Sequence, residues 1–139
     1  MNNDVLTAMQ ISVSGLRAQG DRINVIAQNI ANSSSLPTEQ GEEPYRRKVI
    51  VFKNEFDKEL GAEKVVLDKI KPDNRSEFER EYRPGHPAAD EDGYVLTPNV
   101  NSLIEIQDMK EAQRSYEANL GMITQAREMY MRTVDLLNR

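Results

Sequence analysis

Residues 4–32, DVLTAMQISVSGLRAQGDRINVIAQNIAN, decide the fold. Within them Leu6, Met9, Val13, Leu16, Gly20, Ile23, Ala27 and Ile30 recur at alternating steps of three and four. A period near 3.5 places every member on one narrow side of an α-helix, the stripe that a partner helix covers in a coiled coil. The other side carries Gln10, Ser12, Arg17, Gln19, Asp21, Arg22 and Asn24, so burial on one face only is expected. Gly20 and Ala27 are small and suit close approach of another backbone. Asn3 or Asp4 is expected to cap the start, and Asn32 followed by Ser33, Ser34, Ser35 and Pro37 to end the helix.

The partner lies at the other end of the chain. Pro98 stops what precedes it, and Ser102-Leu103-Ile104-Glu105 reads as a capping box that opens a second long helix. Ile106, Met109, Gln113, Tyr116, Leu120, Ile123, Arg127, Tyr130, Val134 and Leu137 again step by three and four. The two seams are most simply satisfied by packing on each other antiparallel. Such a hairpin leaves Leu103, Met122, Met129, Met131 and Leu136 partly uncovered, and uncovered apolar surface marks an interface. The expected fold is mainly α: long N- and C-terminal helices as an antiparallel coiled-coil pair, with a small irregular β segment between them. The expected divisions are 1–32, 33–100 and 101–139.

In the middle, residues 33–43 are polar and turn-rich and predict a loop. Tyr45 to Lys53 alternates and predicts a strand, and Val65 to Ile70, Glu77 to Arg83 and Tyr94-Val95-Leu96 predict three more. Arg46-Arg47-Lys48 reads as a strand's polar positions rather than an anion site. Pro84 to Gly93 is too rich in Pro and Gly for a helix, and Asp92-Gly93 predicts a turn. Residues 54–75 are heavily charged and predict no contact by themselves.

Composition excludes several function classes. The 139 residues are 38% hydrophobic with a net charge of −5, a pI near 5.0 and a mean hydropathy of −0.68. No clustered basic patch is present for a nucleic-acid backbone. The absence of cysteine removes thiol chemistry. His86 is alone, and the Asp90-Glu91-Asp92-Gly93 run lacks the alternate spacing of a calcium loop, so no metal site or cofactor is expected. The acidic residues are scattered without a paired acid and base, which argues against a hydrolase. No catalytic residue is assigned, and no small-molecule substrate is expected. Residues 1–4 do not resemble the start of a cleaved signal peptide, and no run reaches the roughly 18 apolar residues of a membrane span.

The run Ser14-Gly15-Leu16, then Arg22, then Asn29-Ile30-Ala31-Asn32, resembles the N-terminal signature of the axial proteins of the bacterial flagellum, the rod, hook and filament-junction families. Pro44 to Lys48, Pro84 to Asp90, Asp92 to Val95, Pro98 to Asn101 and Arg114 to Asn119 narrow the resemblance to the proximal rod subunits of the basal body. What the resemblance implies is a building block exported through the flagellar type III apparatus without a cleaved leader. Its implied place is the periplasmic rod, where it helps transmit torque. The implied partners are other rod proteins, copies of itself, and the ring and export-gate proteins. The interface candidates are Leu6, Met9, Val13, Leu16, Ile23, Ile30, Ile106, Tyr116, Leu120, Ile123, Tyr130, Val134 and Leu137; Asn29 and Asn32 are expected to close the first helix by bonding free carbonyls. The competing reading of the same pattern is a soluble coiled-coil adaptor or secretion chaperone whose β insert binds a client.

Overall fold

The computed structural model describes residues 2–137, with side chains from residue 4 onward. Among the described residues the elements run α1 (Asn2–Asn32), β1 (Lys48–Asp57), β2 (Ala62–Pro72), β3 (Glu79–Tyr82), β4 (Tyr94–Thr97) and α2 (Ser102–Leu137). This is the expected architecture of two long helices flanking a small antiparallel β segment. At 1.5 Å per residue, α1 is about 46 Å long and α2 about 54 Å.

Both helix ends follow from local chemistry. α1 stops at Asn32, where the serines and Pro37 begin. Its first helical residue, Asn2, precedes the expected caps Asn3 and Asp4 by one or two residues: Asp4 sits inside the first turn, where its negative charge complements the helix dipole. The side chain of Asn3 lies outside the described residues. α2 is capped differently from the expected Ser102 to Glu105 box. Asn101 Oδ1 accepts from the backbone N–H groups of Leu103 and Ile104 at 3.0 and 3.3 Å, and Glu105 turns away into the interior.

The chain forms two compact units. The first comprises residues 2–23, 51–69 and 110–137 of the described chain. In it the helices run antiparallel: a Cβ added at Gly15 would lie 3.0 Å from Asn119 Nδ2, one added at Gly20 would lie 4.0 Å from Tyr116 Cε2, and Arg22 approaches Glu111 at 3.8 Å. One number rises as its partner falls. The side chains buried along this seam are small, Ala18, Ala112 and Ala126. The hairpin tip belongs to the same unit. Asp57 Oδ1 accepts from the N–H groups of Glu59 and Leu60, its Oδ2 accepts from Lys64 Nζ at 2.8 Å, and Gly61 supplies a φ of +63°.

The second unit comprises residues 24–50 and 70–109. Val25, Ile26, Ala88 and Val95 form its apolar core. β3 and β4 pair antiparallel, Glu79 opposite Thr97 and Tyr82 opposite Tyr94, and the two tyrosine rings meet edge-on at 5.2 Å. The turn between them is held by Asp90, whose Oδ1 accepts from the N–H groups of Asp92 and Tyr94. Gly93 has a φ of +82°, and an added Cβ would come within 3.0 Å of both Pro84 Cβ and Tyr82 Cε2. Gly93→Ala is therefore expected to cost about 1–2 kcal/mol in backbone strain, and further for the displaced Pro84; the urea midpoint measures it, and a midpoint within error of the parent would refute it.

β1 lies later than the alternation predicts, β2 is longer at both ends, β3 is shorter at both ends, and β4 gains only Thr97. β1 begins at Lys48 rather than Tyr45 because residues 45–47 are committed to side-chain partners described below, and it runs on to Asp57. The charged stretch 54–75 contains the end of β1, the hairpin turn and β2, where alternating polar side chains face water.

Candidate functional site

Within the second unit, Asn29 near the end of α1 is 1% exposed, and its carboxamide uses all of its hydrogen-bonding capacity. Its Oδ1 accepts from the Lys48 N–H at 2.9 Å and from the Tyr45 hydroxyl at 3.0 Å. Its Nδ2 donates to the Lys48 carbonyl at 2.9 Å and to Glu105 Oε2 at 3.1 Å. The amide thus serves both backbone groups of Lys48, as a neighbouring strand would, and fixes where β1 begins. Burial, and secondarily the Glu105 charge, push the Tyr45 hydroxyl pKa upward.

Beside it, Arg47 gathers three carboxylates. Its Nε donates to Glu105 Oε1 at 2.6 Å and its Nη1 to Asp73 Oδ2 at 3.1 Å, and Nη2 lies 3.7 Å from Asp108 Oδ2. Glu105 is fully buried and Asp73 nearly so. Burial by itself would make Arg47 easier to deprotonate, but the bonds and charges of Glu105 and Asp73 outweigh it and hold the guanidinium more firmly cationic. Asn99 completes the arrangement. Its Oδ1 accepts from the Arg47 N–H at 2.7 Å, and its Nδ2 donates to the carbonyls of Asp73 and Ser76. Arg47 is therefore the interior cation of a clasp, not a solvated strand residue. Arg46 stacks over the Phe78 ring at 4.2 Å.

Asp73 also receives Arg75, through its backbone N–H and its Nε. The Arg75 hydrogen bonds, with those of Arg47, hold the Asp73 carboxyl well below the usual carboxylate range despite burial. A depressed carboxylate stabilises the fold at any pH above its unfolded value, about 3.9, and this contribution is lost as pH falls through the lower folded value. The urea midpoint of the second unit is expected to fall between about pH 5 and pH 2, and to fall less in Asp73→Asn. Equal slopes in the two proteins would remove Asp73 as the cause.

The seam candidates are distributed unevenly. Met9, Val13, Leu16, Ile23, Ile30, Tyr116, Ile123, Tyr130 and Val134 are half-buried. Leu6, Ile106, Leu120 and Leu137 are exposed. On α2 the inward line is Glu105, Met109, Ala112, Tyr116, Asn119, Ile123, Ala126 and Tyr130, so positions 106, 113, 120 and 127 yield the interior to their preceding neighbours. The bulky apolar residues flank that line: Leu103, Met122, Met129, Met131 and Leu136 are all about half exposed or more. Asn32 Nδ2 donates to the Gln28 carbonyl at 2.8 Å, closing the helix end, whereas Asn29 bonds β1 and Glu105 instead.

Of the clasp residues, the sequence reads Arg47 as a strand's polar position and Glu105 as a capping carboxylate, and it gives Asp73 and Asn99 no role. One signal was available: Glu105 falls in step with Met109, Ala112 and Tyr116, a charge on an inward line. His86 stays local, its Nδ1 accepting from the Ala88 N–H at 3.1 Å. Among the described residues no cluster of His, Cys, Asp or Glu has metal-holding geometry. No described helix is long and apolar enough to cross a membrane.

Comparison with known proteins bears on the whole chain. Residues 91–136, which hold β4, the Asn101 cap and nearly all of α2, match the family described as flagellar basal body rod FlgEFG protein C-terminal. The flagellar basal-body rod protein FlgC of Agrobacterium fabrum is 48% identical over 130 residues, covering 94% of this chain and 93% of its own. FlgC of Aquifex aeolicus is 37% identical over 132 residues, covering 95% and 96%. FlgC of Salmonella typhimurium is 35% identical over 136 residues, covering 95% and 97%. Alignments of that extent take in both helices, the clasp and the β insert together, and on them the chain belongs to the flagellar basal-body rod protein FlgC family.

Proposed function

We infer that the chain is a structural subunit of the flagellar basal-body rod that assembles through its terminal helices. One observation carries the physical side of this reading: the fully buried positions of α2 are Glu105, Ala112 and Ala126, its inward Met109, Tyr116, Ile123 and Tyr130 are only half-buried, and Leu103, Leu120, Met122, Met129, Met131 and Leu136 stand exposed on the flanks. A self-sufficient hairpin puts its largest apolar side chains inside. A subunit that completes its burial against neighbours leaves them outside, where each Leu or Met covered on assembly contributes up to roughly 1.5–3 kcal/mol.

The finer parts of the reading follow the family resemblance. The subunit belongs to the proximal rod, beside other rod proteins and the ring and export-gate proteins, and passes through the flagellar type III apparatus unfolded. It carries torque without catalysing a reaction. The thin first-unit seam supports passage and late ordering, because little large apolar surface is buried before neighbours arrive. In the isolated protein, amides of residues 110–137 are therefore expected to exchange faster than those of residues 24–32 and 102–109, which the clasp holds. Uniformly strong protection along α2 would favour the self-sufficient adaptor instead.

The deciding experiment is deletion and complementation. Cells lacking the chain are expected to be non-motile and to yield no basal bodies with a rod, and a plasmid copy is expected to restore both, with the chain detected in purified basal bodies. A motile deletion strain would overturn the function.

A further inference from the structure

The sequence of α2 offers two ways of facing α1. Met109, Tyr116, Ile123 and Tyr130 are half-buried and belong to both. On one side of that line stand Glu105, Ala112, Asn119 and Ala126, and on the other Ile106, Gln113, Leu120 and Arg127. Either set completes a seam with steps of three and four, and the two seatings differ by a turn of about 50°, half the angle between neighbouring residues. The structure holds the first. Glu105 and Ala112 are fully buried and Ala126 is 7% exposed, while Ile106 and Leu120 are 43% and 49% exposed.

Apolar burial does not explain that choice, since the first set offers two alanines to the interior and the second an isoleucine and a leucine. The polar members distinguish the two. Glu105 accepts from Arg47 Nε at 2.6 Å and from Asn29 Nδ2 at 3.1 Å. Asn29 is itself bonded to both backbone groups of Lys48, so the carboxylate meets donors that other segments of the chain fix in place. The second seating would draw Glu105 away from them and carry the Arg127 charge inward. A buried polar group that is bonded in one register only fixes that register at a cost in stability. α2 is unbroken from Ser102 to Leu137, and helix twist gives only about 20° per heptad, so a phase set at Glu105 persists through Ala112 and Asn119.

We propose that Glu105, held by Arg47 and Asn29, is the pin that sets the rotational phase of α2 and keeps Leu120 outward. Ala112 and Ala126 permit the seating, and Glu105 selects it. The pin stops the chain from covering its own apolar surface by turning α2, which leaves Ile106 and Leu120 available to neighbours. That consequence rests on the rod-subunit reading. The phase does not, and it is tested on the purified chain, so the two fail separately.

The chain contains no cysteine, so introduced thiols report without background. A Cβ added at Gly15 lies 3.3 Å from Asn119 Cγ, the place a cysteine sulfur takes, so Gly15→Cys with Asn119→Cys is expected to form a disulfide. A lone Leu120→Cys is expected to react fast with a maleimide. Each reporter is then placed in a chain carrying Glu105→Ile with Ile106→Glu, which moves the carboxylate by one residue at constant composition. The phase is expected to follow the carboxylate: the disulfide yield falls, and maleimide reaction at position 120 slows about tenfold as that side chain is covered. An unchanged disulfide yield overturns the proposal. So does a lost disulfide with position 120 still reacting fast, which is fraying rather than rotation. Glu105→Ala, which removes the pin and leaves an alanine like those at 112 and 126, decides the matter if the exchanged chain does not fold. It is expected to move both readouts part of the way in the same directions, and readouts equal to the parent's overturn the pin.

Discussion

Arg47→Ala is expected to destabilise the second unit by about 3–5 kcal/mol, the cost of removing one partner from a buried ion pair and leaving the other charged. The residue faces Glu105, which is fully buried, and Asp73, which is 5% exposed. Without the guanidinium Glu105 keeps one hydrogen bond, from Asn29 Nδ2 at 3.1 Å, and Asp73 keeps Arg75. Asp108 loses its nearest Arg47 nitrogen, 3.7 Å away. Arg47→Lys is expected to recover only part of the loss, because a single ammonium cannot bond Glu105 and Asp73 together from the positions a planar fork reaches. Arg47→Met combined with Glu105→Leu is expected to recover more than Arg47→Lys, since it removes the main stranded charge along with its partner. Urea unfolding followed by circular dichroism gives the midpoints, and exchange of the amides in residues 70–109 locates the loss. A shift below about 1 kcal/mol, the range of an exposed pair, would show that the clasp is solvated and reduce Arg47 to a surface cation.

The clasp also marks where reading the sequence stops. Periodicity and breakers located both helices, because those signals are local: Asn32 and the serines end α1, and Pro98 precedes α2 by a few residues. The phase of α2 was harder. Hydropathy favours Ile106 and Leu120, yet Glu105 and Asn119 take the inward positions because small and polar residues let the helices approach closely. The Ser102 box does not form for a related reason. Glu105 matches the capping pattern, but a half-buried guanidinium at 2.6 Å competes better for its carboxylate than a backbone N–H at an exposed helix end. Every clasp contact spans a long stretch of chain, Asn29 to Lys48, Arg47 to Asp73, Arg47 to Glu105 and Asn29 to Glu105. No window of a dozen residues contains both ends of any of them.

Leu120→Asp separates folding from assembly. Leu120 is 49% exposed, and neither the clasp nor the small-residue seam depends on it. The substituted chain is therefore expected to match the parent in helix content and in exported amount. It is expected to be absent from purified basal bodies, and cells carrying it to be non-motile. In the assembled rod the side chain would be covered by a neighbour, so the change withdraws roughly 1 kcal/mol or more of apolar burial and forces a carboxylate out of water without a partner, which costs several kcal/mol more. Leu120→Met keeps the apolar volume and is expected to stay motile, which ties the loss to charge rather than to shape. The replacement of Glu117 by Asp, one turn away on the same helix, leaves the charge where water already solvates it and is expected to change nothing. Motile cells carrying Leu120→Asp would mean that this flank stays in water after assembly, and the burial argument for α2 would then have to rest on the Met122, Met129 and Leu136 side alone.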